Sequence, residues 1–173
     1  MLAPMSTIAG QLAFVVGSYH LLKHNKGKGV MIGHMDDMDP RVVTVIGAGV
    51  AGTQSILKAI DNKALVKVVD SSQSKLDDLK SKYGTENVEY ILSSKDSIQV
   101  SVNESDLVIG SVYVVGKEAP KVVTKDMLSS MNPGTVMVDV SIDQGGCFES
   151  SKPTPHDNPT FLENDIVHYC VTN

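Results

Sequence analysis

The sequence predicts an α/β domain with a doubly wound parallel sheet of about six strands, preceded by an N-terminal amphipathic helix. Short β-branched apolar runs alternate with helix-like segments from Arg41 onward, a rhythm typical of βαβ units and a parallel sheet. A glycine-rich turn follows the first of these runs, and Asp70 ends the second. Sheets of this class usually have the strand order 3-2-1-4-5-6.

Six apolar runs are predicted to be strands, and four segments between them are predicted to be helices. The strand candidates are RVVTVI (41–46), LVKVVD (65–70), VEYIL (88–92), DLVIGSV (106–112), TVMVDV (135–140) and IVHYCV (166–171). The helix candidates are VAGTQSILKAI (50–60), SQSKLDDLKSKY (72–83), Lys95 to Val102 and Thr124 to Met131. The tripeptide NPG at 132–134 predicts a turn before the fifth strand.

The first 40 residues are predicted to form a helix and a connecting segment that pack on the domain formed by residues 41–173. The helix is expected over Ser6 to Leu22, with Ser6 near its start. Its large apolar residues recur at helical spacing, and we expect that stripe to be the packing face. The stripe consists of Ile8, Leu12, Val15, Val16, Tyr19 and Leu22. The segment from Lys23 to Pro40 is rich in Gly, Asp and Met and predicts a loop or small hairpin.

Composition excludes several classes of function. The chain has 173 residues, 42% hydrophobic and 20% charged, which is typical of one globular domain. A net charge of −5 without a basic block argues against nucleic acid and anionic membrane surfaces as partners. The apolar stretch TIAGQLAFVVG (7–17) lacks a basic flank and is too short to span a bilayer. Two cysteines outside any C-x-x-C pattern indicate a reducing compartment, and we expect a cytoplasmic protein.

The glycine-rich turn has the pattern G-x-G-x-x-G, formed by Gly47, Gly49 and Gly52. It follows a predicted strand and opens a predicted helix, the context in which this pattern indicates a dinucleotide site of the Rossmann type. Gly47 would allow the tight turn, Gly49 the approach of a pyrophosphate, and Gly52 close packing of helix on strand. The alternative is a glycine turn without a ligand.

Asp70 is predicted to select the cofactor. Its carboxylate could accept hydrogen bonds from the ribose hydroxyls of an adenosine, whereas a 2′-phosphate would meet a like charge. Ser71 and Ser72 offer no arginine to that phosphate, although Lys75 is one turn further on. We therefore expect NAD rather than NADP. The alternative, compatible with the same geometry, is that Asp70 caps the following helix.

Other reactive side chains have simpler interpretations. Cys147 follows two glycines and is predicted to be a small buried residue rather than a nucleophile, and Cys170 lies within a predicted strand. The five histidines show no H-E-x-x-H pattern, and the acidic cluster of Asp36, Asp37 and Asp39 lacks an EF-hand pattern. We therefore predict no metal site.

Longer strings resemble one family over essentially the whole chain. They are LAPMSTIAGQLA (2–13), IDQGGCFE (142–149), KPTPHDNPT (152–160) and VHYCVTN (167–173). They closely resemble alanine dehydrogenases. The related transhydrogenase α-subunit shares the fold but usually carries a different acidic residue before Gln-Gly-Gly. The resemblance implies interconversion of L-alanine with pyruvate and ammonia by hydride transfer to NAD.

The resemblance also implies which residues contact the cofactor. These are Ser6, Gly49, Val50, Ala51, Asp70, Lys75, Ser93, Val112, Tyr113, Val140, Asp143 and Asn173. It places Val140 and Asp143 beside the nicotinamide, with Asp143 as the catalytic candidate, and Asn173 near the reacting centre. Position 113 is usually leucine or isoleucine in the family.

The resemblance implies a second, substrate-binding segment as well. In the family an arginine and a lysine hold the substrate and a histidine is the general acid/base, all from an N-terminal segment that nothing in this chain matches. We therefore expect this chain to bind NAD(H) but to need that segment for L-alanine or pyruvate. The family implies a homo-oligomer for the full-length enzyme. The alternatives are a module of a transhydrogenase-like protein and a non-catalytic nucleotide-binding chain.

Overall fold

The computed structural model describes residues 3–33 and 37–172, which form an α/β fold with one seven-stranded sheet. The strands are β1 Val42–Ile46, β2 Leu65–Asp70, β3 Val88–Leu92, β4 Leu107–Gly110, β5 Val136–Asp139, β6 Thr160–Glu163 and β7 Ile166–Tyr169. The helices are α1 Ala3–Leu22, α2 Val50–Asp61, α3 Gln73–Tyr83, α4 Lys95–Asn103 and α5 Lys125–Leu128, with a 3-10 helix over Val140–Gln144.

The strands lie in the order β3-β2-β1-β4-β5-β7-β6, and all pairs are parallel except β6 with β7. Every residue of β4 and β5 is buried, as expected of strands covered on both faces. The predicted fold class and the order of the six predicted strands are confirmed, because the sixth is β7 and lies next to β5.

The predicted strand count was one too low, because β6 is an additional edge strand. It forms a hairpin with β7 through Asn164 and Asp165, whose φ angles of 52° and 62° are left-handed. Two such residues in a two-residue loop match the twist of antiparallel strands. β6 has only four residues, and its burial varies along the strand, so its apolar signal is weak.

Helix α1 was predicted correctly as a helix, but the predicted packing face was wrong. Five of the six residues of the predicted stripe are about half exposed, namely Ile8, Leu12, Val15, Tyr19 and Leu22, and only Val16 packs partly against the core. The buried face instead carries small residues together with Phe14 and Leu21. A Cβ on Gly10 would lie 2.0 Å from the backbone oxygen of Ala51, so α1 approaches α2 too closely for larger side chains. No helix within the described residues is long and apolar enough to cross a membrane.

The segment after α1 forms turns rather than the small hairpin considered above, and no strand occurs in residues 23–33 or 37–40. Lys28 ties it to the domain, because its Nζ lies 2.8 Å from Oδ1 of Asp106, at the start of β4. Asp106 also accepts a hydrogen bond of 2.8 Å from the backbone N–H of Val42. The ion pair therefore fixes the segment at the amino ends of β1 and β4.

The carboxyl ends of the parallel strands form the opposite edge of the sheet. β1 lies between β2 and β4, so successive strands are added to one side of β1 first and then to its other side. Doubly wound sheets bind ligands in the crevice outside the carboxyl ends at such a switch point. The loops after β1, β2, β4 and β5 meet at this edge.

Candidate cofactor site

Two adjoining cavities lie at the carboxyl edge of the sheet. The large cavity has a volume of 680 Å³ and lies between α1, the loop after β4 and the 3-10 helix after β5. The small cavity has a volume of 350 Å³ and reaches the end of β2. Four residues line both: Gly49, Ser111, Val112 and Tyr113. The cavities therefore form one elongated cleft across the glycine-rich turn.

The glycine-rich turn has the geometry that close approach of a phosphate group requires. Gly47 has a left-handed φ of +96°, and a Cβ there would lie 2.3 Å from the backbone oxygen of Ser111. A Cβ on Gly52 would lie 1.8 Å from the backbone oxygen of Gly47, so only glycine lets α2 pack here. A Cβ on Gly49 would meet no atom within 4 Å, because this residue faces the open cleft.

The amino end of α2 supplies donors to the same space. Its N-cap residue, Gly49, offers no side chain to the free N–H groups of the first helical turn. Val50 and Ala51 line the large cavity beside them. Free N–H groups and the positive end of the helix dipole bind phosphate groups favourably. The open space at Gly49 and these donors fit the pyrophosphate of a dinucleotide.

Asp70 stabilises the glycine-rich turn through a hydrogen bond to its backbone. It is 8% exposed, its Oδ2 accepts a hydrogen bond of 2.8 Å from the N–H of Ala48, and its Oδ1 accepts one of 2.8 Å from the N–H of Ser72. Nζ of Lys75 lies 3.8 Å from Oδ2. The N-cap of α3 is Ser72, which accepts a hydrogen bond from the N–H of Lys75. Asp70 therefore precedes the cap and joins the two loops at the small cavity.

Asp143 lies in the 3-10 helix that follows β5, four residues beyond the end of the strand. It is exposed and lines the large cavity together with Val140 and Ser141. The chain then turns back through Gly145 and Gly146, whose φ angles are +89° and +81°. These left-handed residues let the backbone fold beneath the helix while Asp143 stays at the mouth of the cleft.

The two cysteines do not contribute to the cleft. Cys147 is fully buried, and burial together with the nearby charge of Asp139 raises the pKa of its thiol well above the usual value. Burial raises the pKa of Cys170 to about 11. Neither thiol is therefore a nucleophile at neutral pH.

Within residues 3–33 and 37–172, no three His, Cys, Asp or Glu side chains cluster in a way that could hold a metal ion. His34 and Asp36 lie outside the described residues.

The cleft brings together most of the residues suggested by the sequence. The large cavity is lined by Ser6, Gly49, Val50, Ala51, Val112, Tyr113, Val140 and Asp143. The small cavity is lined by Gly47, Gly49, Asp70, Lys75, Ser93, Val112 and Tyr113. Gly52 does not line either cavity and packs beneath the turn. Asn173 lies outside the described residues.

Several lining residues were not predicted. Ser111 follows β4 directly, and its position at the carboxyl end of a strand could have identified it. Ser141 and Gln144 flank Asp143 within the 3-10 helix and line the large cavity. The sequence gives no signal for a 3-10 helix at this point, so the side chains that accompany Asp143 could not be assigned.

Comparison with known proteins agrees with this geometry. Residues 13–173 match the family model described as alanine dehydrogenase/PNT, C-terminal domain. An alanine dehydrogenase of Halomonas elongata is 46% identical over 173 residues, which are 100% of this chain and 46% of that protein. A solved L-alanine dehydrogenase superposes with a TM-score of 0.95 at 38% identity, covering 99% of this chain and 47% of the other.

A transhydrogenase structure from Sinorhizobium meliloti has a TM-score of 0.82 at 22% identity, covering 98% of this chain and 48% of that one, and shares the fold. The chain spans about half the length of the relatives it matches. Membership of the family supports NAD as the cofactor of the cleft. The match over residues 13–173 and the identity to alanine dehydrogenases show that this chain belongs to the alanine dehydrogenase/PNT family and corresponds to its C-terminal domain.

Proposed function

We propose that this chain is the cofactor-binding part of an NAD-dependent alanine dehydrogenase, which interconverts L-alanine with pyruvate and ammonia. The observation that carries the proposal is the continuous cleft, with Asp70 at one end, Asp143 at the other and the glycine-rich turn between them. An extended dinucleotide has two ends that need different surroundings, and the cleft offers both.

The small cavity is proposed to hold the adenosine. Asp70 has its two carboxylate oxygens fixed by backbone N–H groups, and each oxygen retains a further lone pair for a ribose hydroxyl. Its negative charge disfavours a 2′-phosphate at the same place, which favours NAD over NADP. Ser93 and Lys75 complete the lining of this cavity.

The large cavity is proposed to hold the nicotinamide. Val112, in the loop after β4, and Val140, in the 3-10 helix, offer apolar contact, and Asp143 lines the same cavity. Bound here, NAD would supply the hydride acceptor for the carbon of alanine that carries the amino group. The exposed carboxylate of Asp143 can attract the substrate ammonium group, and it can orient an imidazole from another segment by accepting a hydrogen bond from its N–H.

Titration of the purified chain with NADH and NADPH by calorimetry tests the cofactor assignment. We expect NADH to bind and NADPH to bind at least about tenfold more weakly, since loss of a charged hydrogen bond costs about 1.5–3 kcal/mol. Equal affinity for the two nucleotides would contradict the assignment of Asp70. Absence of binding to both would contradict the proposed function.

Reconstitution tests the reaction. The chain is mixed with the separately produced N-terminal half of a related alanine dehydrogenase, and NADH oxidation is followed with pyruvate and ammonia. We expect activity that depends on both substrates and disappears in Asp143→Ala. Hydride exchange between NADH and NADP with a membrane partner, without dependence on pyruvate, would instead support the transhydrogenase alternative.

A further inference from the structure

Asp139, the last residue of β5, is a carboxylate next to the cleft that accepts several hydrogen bonds. It is 2% exposed. Its Oδ1 accepts a hydrogen bond of 3.0 Å from the N–H of Ser141. Its Oδ2 accepts bonds of 2.9 Å and 3.3 Å from the N–H groups of Cys147 and Phe148, and one of 2.5 Å from Oγ of Ser151. Burial raises the pKa of Asp139, although the hydrogen bonds from Ser151, Phe148 and Cys147 oppose the shift.

These hydrogen bonds connect the two ends of one loop to the same carboxylate. Ser141 lies at the start of the segment that carries Asp143, and Cys147 and Phe148 lie at its end. One carboxylate therefore joins the two ends of residues 141–148. The carboxylate packs closely against this loop. A Cβ on Gly146 would lie 2.9 Å from Oδ2 of Asp139, so a larger residue there would have to displace the carboxylate.

The same network reaches the loop after β4, which also lines the large cavity. Ser141, whose N–H is held by Asp139, donates from its hydroxyl to the backbone oxygen of Val112 at 2.8 Å. Val112 and Asp143 both line the large cavity, from different loops. A chain of hydrogen bonds that begins at Asp139 therefore links these two loops.

We propose that Asp139 is a positioning residue for the nicotinamide end of the cleft: it fixes the loop that carries Asp143 and, through Ser141, the spacing of that loop from Val112. The inference rests on the proposed function and adds a residue that the cofactor does not touch. Asp139 lines neither cavity, so its influence on binding is exerted through the loop. The adenosine end of the cleft, at Asp70, shares none of these hydrogen bonds.

This separation allows a sharp test with two ligands. ADP occupies only the adenosine and pyrophosphate part of the cleft, whereas NADH also needs the nicotinamide end of the large cavity. In Asp139→Asn the amide presents an N–H to groups that are themselves donors, so one end of the loop is released. We expect the Kd for NADH to rise about tenfold while the Kd for ADP changes by less than about twofold.

Asp106→Asn is the matched control. Asp106 is also buried, at 8% exposed, and accepts a backbone N–H, from Val42, but it lies at the opposite edge of the sheet. We expect this variant to lose stability without changing the ratio of the two Kd values. Should Asp139→Asn not fold, Ser151→Ala removes a single donor to Oδ2, and a selective loss of NADH affinity of about twofold to threefold is expected.

The possible outcomes separate the two claims. A selective loss of NADH affinity in the Asp139 or Ser151 variant supports the positioning role. An equal change for both ligands, or no change for either, overturns it. If the unmodified chain binds neither ligand, the proposed function fails and the positioning role fails with it.

Discussion

The carboxylate of Asp70 accepts a hydrogen bond of 2.8 Å from the backbone N–H of Ala48, which joins the end of β2 to the glycine-rich turn after β1. The acid that would recognise the ribose therefore also shapes the loop proposed to hold the pyrophosphate. The two roles depend on the same side chain, because the second oxygen is held by the N–H of Ser72. A change at Asp70 should affect both cofactor affinity and the stability of the turn.

Asp70→Ala is expected to weaken NADH binding about tenfold to a hundredfold, on the scale of one charged hydrogen bond. It should also narrow the difference between NADH and NADPH, because the repulsion of a 2′-phosphate is removed. Calorimetric titration at a temperature where the variant is folded measures both effects. Asp78→Ala, at an exposed position on α3, is the control, and an NADH affinity in Asp70→Ala equal to that of the control would disprove the assignment.

Substitution by alanine should have different effects at two glycines of the turn: a loss of stability at Gly52 and a loss of NADH affinity at Gly49. In Gly52→Ala the new Cβ meets the backbone oxygen of Gly47 at 1.8 Å, so we expect a loss of stability of about 3 kcal/mol or more. In Gly49→Ala the Cβ meets nothing within 4 Å, and the residue has φ −77°, so the fold should tolerate it. The methyl group would instead project into the cleft and weaken NADH binding.

Thermal unfolding and NADH titration of the two variants separate these effects. We expect Gly49→Ala to keep the melting temperature and lose affinity, and Gly52→Ala to lose melting temperature. A Gly49→Ala variant with unchanged affinity would show that the cofactor does not approach the turn at this residue.

The features that were predictable from sequence depend on short-range chemistry. The turn from Gly47 to Gly52 and the acid at the end of β2 occur at fixed spacings that the fold requires, so they could be located by pattern. Strand order followed from the same alternation of strands and helices. The hairpin of β6 and β7 was not predicted because its two-residue turn, Asn164 and Asp165, contains no glycine.

The role of Asp139 and the orientation of α1 could not be predicted, since both depend on contacts between distant parts of the chain. Asp139 is one more residue of an apolar strand until the loop at 141–148 folds back upon it. In α1 the large residues form the more conspicuous stripe, but close approach to α2 requires small ones. Hydrophobic spacing identifies a helix and does not report which of two apolar faces fits a neighbour.

The orientation of α1 gives a direct prediction on stability. Phe14 is 5% exposed and Leu12 is 52% exposed. We expect Phe14→Ala to lower the free energy of unfolding by about 3–5 kcal/mol, the cost of removing a buried aromatic side chain. Leu12→Ala should cost less than about 1 kcal/mol because its side chain is already about half exposed in the folded state. Urea denaturation of both variants measures the difference, and a similar cost at the two positions would mean that the predicted face is covered in solution.

His168 predicts how stability depends on pH. It is fully buried, with Nδ1 2.9 Å from the backbone oxygen of Ile166 and Nε2 2.7 Å from Oγ of Ser150. The carbonyl can only accept, so Nδ1 carries the proton and Nε2 accepts from the serine hydroxyl. A second proton would place a charge in the core, and the Ser150 hydroxyl would have to change from donor to acceptor. Burial accordingly lowers the pKa of His168 in the folded state.

Because the folded pKa lies below the unfolded value of 6.5, the unfolded chain binds the extra proton first as pH falls. The stability that this group contributes is therefore complete above pH 6.5 and decreases below it, with a limiting slope of about 1.4 kcal/mol per pH unit.

We expect His168→Phe to be less stable at every pH, since the Ser150 hydroxyl loses its partner, but to show a smaller decrease in stability between pH 7 and pH 5. Some dependence should remain, because burial also lowers the pKa of His20. Chemical denaturation at a series of pH values measures the slopes, with the exposed His156→Ala as control, and equal slopes in all three proteins would show that His168 does not titrate as its burial requires.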